Sequence, residues 1–387
     1  MPASSGARYV GNLGLTFGQI FGATARNNGA DWFAGATVHY THTARTAIHK
    51  AITLLQLRAG DDVLVPAYHC GSELDVLLSA GLHVRLYRIT ANAAIDLEDL
   101  QRRITANTKL IYVIHYFGFA QPMERLVELC RDRGIRLLED CALSAFTEVN
   151  GRRIGTAGDV AVYNFPKVLP VPDGGALTIN NPDLACSEWS VQAPPSRDVR
   201  SGLARLLKQR FLRAQPNVTA RALLATLNRK ENEPAGDAAQ IGMPESYYFN
   251  PTLSDRGIST VSSRVLARTD LAGVRLRRRE NYARLSQHVS RLPGCKPLFA
   301  ELLAGVCPLS LPVIVPNARQ AARQLRARSV PAIAWWAGYH RATLNWNEFP
   351  EACSLKDRVL ALPIHQQLTD RDVDFIGRQL PELLGAA

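Results

Sequence analysis

Two side chains have the type and setting for chemistry, a carboxylate and an amine 27 positions further on. Asp140 closes an apolar run in LLEDCALSAF. A carboxylate there is partly desolvated, which is costly unless it meets a cation or a strong donor. A protonated ring nitrogen would be such a partner, and capping a helix is the plainer use of the same residue. Lys167 lies in YNFPKVLPVPDGG, between the apolar runs 159–165 and 176–180 and among Pro166, Pro170 and Pro172. On so stiff a loop its amine could be desolvated and made nucleophilic, although most lysines are solvated surface residues. Gly174 and Gly175 would let backbone approach a ligand closely.

These residues need elements to hold them. TARTAIHKAITLLQL from Thr43 places Ile48, Ile52 and Leu55 at helical spacing behind a threonine cap. Short apolar runs at 63–66, 84–89, 110–114 and IRLLED, ending at Asp140, alternate with helical stretches at 71–80 and 123–133. That alternation predicts a mostly parallel sheet covered on both faces. Ligands of such sheets sit at the carboxyl ends of the strands, which singles out Tyr68, His69, His115, Asp140 and the run after Tyr163.

Beyond Pro182 the alternation fails. Residues 200–230 carry Arg200, Arg205, Lys208, Arg210, Arg213, Arg221, Arg229 and Lys230 with no acidic residue. Leu203, Leu206, Leu207 and Phe211 are expected to line one helix face, with a break near Pro216. A solvated surface helix pair is the default, and peripheral contact with acidic lipid or a sugar diphosphate is the alternative. Helical patterning returns from about 255, followed by PLSLPVIV at 308–315, a helix near 317–328 and a closing helix after Asp370. The chain is therefore expected to form an α/β large domain over 1–245, with an atypical basic helical insertion at about 185–245, and a smaller α+β domain over 246–387.

Bulk properties bound the answer without choosing it. With 387 residues, 47% of them hydrophobic, the chain can bury a sizeable core. Its 45 basic and 34 acidic residues give a net +11, which suits anionic partners in general. The seven cysteines are scattered and never form Cys-x-x-Cys, so neither a disulfide framework nor a metal site is expected. No secretory leader pattern and no long apolar run is visible, and a cytoplasmic location is expected. Aromatic residues are not interleaved with the basic run, so nucleic acid is not an expected partner.

Together the pieces resemble the DegT/StrS-type sugar aminotransferases, enzymes of the aspartate-aminotransferase fold that use pyridoxal 5'-phosphate (PLP). The likeness is good over roughly 40–180 and looser over 245–380. Lys167, Asp173, Gly174 and Gly175 stand at the spacing of the family's lysine loop. Glu139, Asp140 and Ala142 match its strand-end motif, and Gly155, Gly158 and Asp159 its Gly-x-x-Gly-Asp segment. The resemblance implies that Lys167 is the Schiff-base lysine and that Asp140 binds the pyridinium nitrogen. It implies that Tyr68 or His69 stacks on the ring, and that the turn Thr43-Ala44-Arg45-Thr46 meets the phosphate, with Arg45 standing where the family has threonine. Asn164 is the nearest polar substitute for a missing serine before the lysine, and Asn250 corresponds to an asparagine that reaches a partner subunit's site. His365 would lie near the substrate or else be a packed structural histidine. Leu143 departs from the Gln or His usual three residues after the aspartate.

The activity so implied transfers an amino group, from glutamate, to a nucleotide-linked keto sugar in amino-sugar or polysaccharide biosynthesis, by a homodimer. Two other readings stand beside it. A PLP-dependent sugar dehydratase of the same family would carry histidine in place of Lys167. A non-catalytic binding or scaffold protein retaining the fold would account for Leu143 and the altered phosphate turn.

Overall fold

A computed structural model describes residues 10–23, 25, 28–184, 189, 191–214, 243, 245–342 and 345–384. After a short helix α1 (Phe17–Phe21), the first half alternates strand and helix: β1 (Thr37–Thr41), α2 (Ala44–Leu54), β2 (Asp62–Pro66), α3 (Ser72–Ser79), β3 (His83–Tyr87), α4 (Leu97–Arg103), β4 (Thr108–Ile114), α5 (Met123–Arg133) and β5 (Arg136–Asp140). A small hairpin, β6 (Glu148–Val149) with β7 (Arg152–Arg153), precedes β8 (Val160–Asn164) and β9 (Gly175–Ile179).

Seven of these strands form one sheet in the order β1-β9-β8-β5-β4-β2-β3. Strands β3, β2, β4, β5 and β8 pair in parallel, and β9 runs antiparallel to both β8 and β1. The apolar runs of the sequence reflect burial on both faces. Successive residues of β8 show it: Val160 and Val162 enter one core cluster, and Ala161 and Tyr163 the other. β1 escaped the sequence reading because TVHYT is a half-buried edge strand with a single aliphatic residue.

The chain continues through α6 (Ser196–Ala214), α7 (Thr260–Arg268) and α8 (Leu271–Val289). It then builds a four-stranded antiparallel sheet of β10 (Lys296–Pro297), β11 (Leu311–Ile314), β12 (Ile333–Ala334) and β13 (Val359–Leu362), in the order β10-β11-β13-β12. The helices α9 (Ala318–Ala327), α10 (Pro350–Arg358) and α11 (Asp370–Leu384) complete this α+β region. Among the described residues no helix is long and apolar enough to cross a membrane.

Helix α6 corrects one expectation. Its four apolar positions do not share a buried face: Leu206 is buried, Leu203 half-buried, and Leu207 and Phe211 are exposed. The packed face is set by Gly202, where an added Cβ would stand 2.7 Å from Pro172, so the helix lies against the lysine loop through its smallest residue. The part of the basic segment beyond Ala214, with Arg221, Arg229 and Lys230, lies outside the described residues.

Candidate active site

Parallel strands leave the sheet at one edge, and nearly every predicted site residue lies there. His42 follows β1, Tyr68 to Cys70 follow β2, His115 follows β4, Asp140 ends β5 and Asn164 ends β8. Because β9 is reversed, Gly174 and Gly175 return the lysine loop to the same edge. The convergence follows from topology, since each functional residue occupies the first positions where a strand stops pairing.

The lysine loop is a tight 3-10 turn over Phe165–Lys167 anchored by buried Phe165, whose amide donates to Gly174 O at 3.0 Å. Fully buried Arg278 donates to Val168 O at 3.2 Å, and the Gln366 amide donates to the same carbonyl at 3.0 Å. Other donors of Arg278 reach Pro308 O and Leu309 O, so one guanidinium ties the C-terminal region to the residue after Lys167. The Lys167 side chain is half-buried, its Nζ lying 5.9 Å from the ring centre of Trp335. Gly174 has φ of +123° with Ile258 and Phe165 crowding its Cβ position. Gly175 serves helix packing where a ligand was expected: a Cβ there would stand 2.8 Å from Ala44 N, in the first turn of α2.

Asp140 is buried at the strand end. Its Oδ2 accepts from Tyr112 Oη at 2.7 Å and its Oδ1 from Ala142 N at 2.8 Å. It caps no helix, since turns follow it. Burial, reinforced by the nearby Glu73 carboxylate, pushes its pKa above the usual range, against the two hydrogen bonds and the Lys167 ammonium. Its hydrogen-bond donors are a neutral phenol and a neutral amide, so this carboxylate would gain from a cationic partner. A protonated pyridine nitrogen has the required chemistry.

The neighbouring Glu139 points to the other face and is fully provided for. It accepts from His115 Nε2 at 2.9 Å and from the amides of Gly155, Ala157 and Gly158 at 3.2, 2.7 and 2.6 Å. His115 Nδ1 accepts from Gln121 N, so the imidazole proton is on Nε2. Burial opposes ionisation of Glu139, yet these bonds outweigh it and hold its pKa below the ordinary value.

The α2 end of the site departs from expectation in detail. Thr43 caps the helix, its hydroxyl accepting from Thr46 N at 3.1 Å, and Thr46 Oγ1 donates to Leu253 O at 3.1 Å. Ala44 is buried in the first turn. The Arg45 guanidinium donates to Ser246 O at 2.6 Å and to Tyr248 O at 3.0 Å, so part of its donor set is committed to the 246–248 segment. Beside this turn is a cavity of about 320 Å³ whose lining includes His42, Thr43, Arg45, Thr46, Asp198 and Asn250. Asn250 caps the turn Pro251–Leu253 and borders this cavity of its own chain.

Tyr68 packs into the core, with ring centres of Tyr116 and Trp336 at 5.4 and 5.1 Å and its hydroxyl donating to Trp335 O at 3.3 Å. His69 is wholly buried, its ring 5.5 Å from that of Trp346, and its carbonyl accepts from buried Lys356 at 2.9 Å. Cys70, which the sequence reading passed over, is the member of this segment that Lys167 acts on electrostatically. Burial, with the adjacent Glu73, pushes its thiol up to about 12, so it stays protonated and donates to Glu73 Oε2 at 3.0 Å. Asn164 ends β8 opposite Gly175. Leu143 is buried in the core, and His365 is a packed histidine whose Nε2 lies 3.1 Å from Gly11 O.

Residues 33–197 match the DegT/DnrJ/EryC1/StrS aminotransferase family. GDP-perosamine synthase of Vibrio cholerae is 31% identical over 140 residues, 36% of this chain and 38% of that protein. The dTDP-4-dehydro-2,3,6-trideoxy-D-glucose 4-aminotransferase of Saccharopolyspora spinosa is 30% identical over 153 residues, 38% of this chain and 39% of that protein. The aligned stretch thus spans under two fifths of these curated relatives. Among solved structures, the aminotransferase TlmJ from Streptoalloteichus hindustanus superimposes with a TM-score of 0.63 at 22% identity, covering 91% of this chain and 87% of that one. The PMP-form of the sugar aminotransferase Spr1654 from Streptococcus pneumoniae gives 0.67 at 15% identity over 91% and 87%. The structural likeness spans most of the chain and shows a shared fold.

Proposed function

We propose, from the match of residues 33–197 to the DegT/DnrJ/EryC1/StrS aminotransferase family, that this chain is a PLP-dependent aminotransferase acting on a nucleotide-linked keto sugar with glutamate as donor. We take the domain division at 245/246, and a homodimeric assembly, as part of the same proposal. The observation that carries it is Asp140, a buried carboxylate whose donors among the described residues are neutral, within electrostatic reach of the Lys167 amine.

The bound coenzyme supplies an electron-accepting ring that makes a proton on the donor's α carbon removable. Lys167 would hold the coenzyme covalently through Nζ, and the same amine would be the base that moves the proton of the donor's α carbon. Asp140 would keep the ring nitrogen protonated, its carboxylate oxygens fixed by Tyr112 Oη and Ala142 N. Arg278 and Gln366 orient the lysine by holding the next carbonyl. The first turn of α2 would hold the phosphate. The exposed basic helix α6, with Leu207 and Phe211 on its outer side, remains the candidate for contact with acidic lipid.

Lys167 argues against the dehydratase reading. The scaffold reading draws on Leu143, buried where the family has a polar contact. Purified protein mixed with PLP, then with glutamate and candidate nucleotide keto sugars under mass spectrometry, separates these. The proposal expects a lysine-bound coenzyme absorbance that Lys167→Ala removes and an amino-sugar product. No coenzyme uptake supports the scaffold.

A further inference from the structure

One buried cation has no part in the mechanism. Lys356, near the end of α10, is fully buried, and an ammonium taken out of water is costly unless its hydrogens find acceptors. All three of its hydrogen bonds go to main-chain carbonyls: His69 O at 2.9 Å, and Trp336 O and Gly338 O at 3.1 Å each. Burial pulls its pKa down to about 8, which leaves three hydrogens for three carbonyls at neutral pH. The rings of Tyr339 and Trp346 flank the charge, their centres 5.0 and 5.2 Å from Nζ.

The carbonyls it holds belong to two segments that wall the site. His69 lies in the turn after β2, and 335–338 is the turn that leaves β12. That second turn is bent sharply, Trp336 having φ of +56°, a left-handed backbone that a bulky residue keeps only when its surroundings enforce it. Three successive carbonyls here accept from side-chain cations: those of Trp336 and Gly338 from Lys356, and that of Ala337 from Arg319 at 2.8 Å. The bend distributes two indoles. Trp336 packs on Tyr68 and Tyr116, whereas Trp335 packs on Phe117 at 5.1 Å and lies 5.9 Å from Lys167 Nζ. The two indoles also pack on each other, ring centres 6.0 Å apart, so loosening the bend moves both.

We propose that Lys356 is a positioning residue of the active site, holding the 336–338 backbone in the bend that lays the Trp335 indole beside the Lys167 amine. Lys356 acts through Trp335, and the indole is the surface that a carbonyl compound joined to Nζ would meet. This role rests on the aminotransferase reading only for the importance of Lys167, and it can be followed without coenzyme.

Coenzyme-free whole chain is acetylated with limiting acetic anhydride at neutral pH, and the Lys167 peptide is quantified by mass spectrometry against exposed Lys296. Trp335→Ala should speed labelling of Lys167 by about 2–5-fold, since the ring face shields the amine and attracts its charged form. Lys356→Met should do the same, and the double variant should be no faster than Trp335→Ala alone, because one interaction cannot be lost twice. Lys356→Gln, which keeps two amide hydrogens, should fall between the parent and Lys356→Met, and it takes the place of the latter if that variant does not fold. Leu380→Ala, a truncation in the core on α11, lowers the melting temperature and should leave Lys167 labelling unchanged. Titration of the same variants with PLP should repeat the pattern in coenzyme affinity. A parent chain that takes up no PLP but keeps the labelling pattern would remove the coenzyme reading and uphold the positioning role. Multiplied effects in the double variant, parent-like labelling in the folded Lys356 variants, or labelling that follows melting temperature through Leu380→Ala would overturn it.

Discussion

Glu139 and Asp140 are adjacent on one strand, yet their surroundings have opposite characters. Glu139 sits in a completed socket of one imidazole and three amides, and its pKa is pulled down. Asp140 has one phenol and one amide, and its pKa is pushed up. The alternation of a β-strand puts one on each face, so local sequence cannot make their environments alike. Unequal satisfaction separates a carboxylate that serves the fold from one whose partner comes from outside.

That comparison is open to attack at several points. Removing the Glu139 charge should have the largest effect: Glu139→Gln leaves three amides and His115 competing for a weaker acceptor, and about 3–5 kcal/mol of stability should go, measured by denaturant unfolding. A neutral result would show that the socket is not structural. Asp140→Asn should instead leave the coenzyme-free protein as stable or more so at neutral pH, because it deletes a desolvated charge. The same variant should hold PLP about 10–100-fold less tightly. Weakened folding with intact coenzyme affinity would reverse the two roles. A smaller effect is expected from Tyr112→Phe, which takes one donor from Asp140 and should raise its pKa further, with coenzyme affinity changed by about tenfold or less. Infrared titration of the Asp140 carboxyl would detect the shift, and an unmoved pKa would disconnect the phenol from it.

Acid unfolding gives the finest test, since the two residues act with opposite sign. The folded-state pKa of Glu139 is depressed, so its contribution is present above its unfolded value near 4.5 and is lost as pH falls through the lower folded value. The folded-state pKa of Asp140 is raised, so its cost to the coenzyme-free fold grows as pH climbs from the unfolded value near 3.8 through the higher folded one. The pH dependence of stability should flatten at the acid end in Glu139→Gln. In Asp140→Asn the loss between pH 4 and neutrality should shrink.

The same contrast explains what could be read beforehand. Apolar strands such as LIYVI and the loop around Lys167 are legible because burial and backbone stiffness are local properties. Asp140 and Lys167 were legible because each ends or follows such a strand. Lys356 was not, because its meaning comes from the carbonyls of Trp336, Gly338 and His69, the last 287 positions away, and a lysine in PEACSLKDR passes for a solvated helix residue. Cys70 was overshadowed by the aromatic residues before it, although the turn after β2 carries those inward and leaves the thiol within the influence of Lys167. Tyr112 lies inside an apolar run where a tyrosine passes for core, and only the register of β4 against β5 brings its hydroxyl to Asp140. Nothing local sets Arg278 apart from Arg277 and Arg279 in RRRENY, and only the fold buries it.

The central claim is that one amine and one buried carboxylate serve a single coenzyme. Its most direct test is the visible absorbance of the purified chain titrated with PLP, alone and as Lys167→Ala and Asp140→Asn. The account predicts a saturable lysine-bound band in the parent chain, no such band in Lys167→Ala, and a band in Asp140→Asn that needs about 10–100-fold more coenzyme. A band that survives unchanged in Lys167→Ala would contradict it.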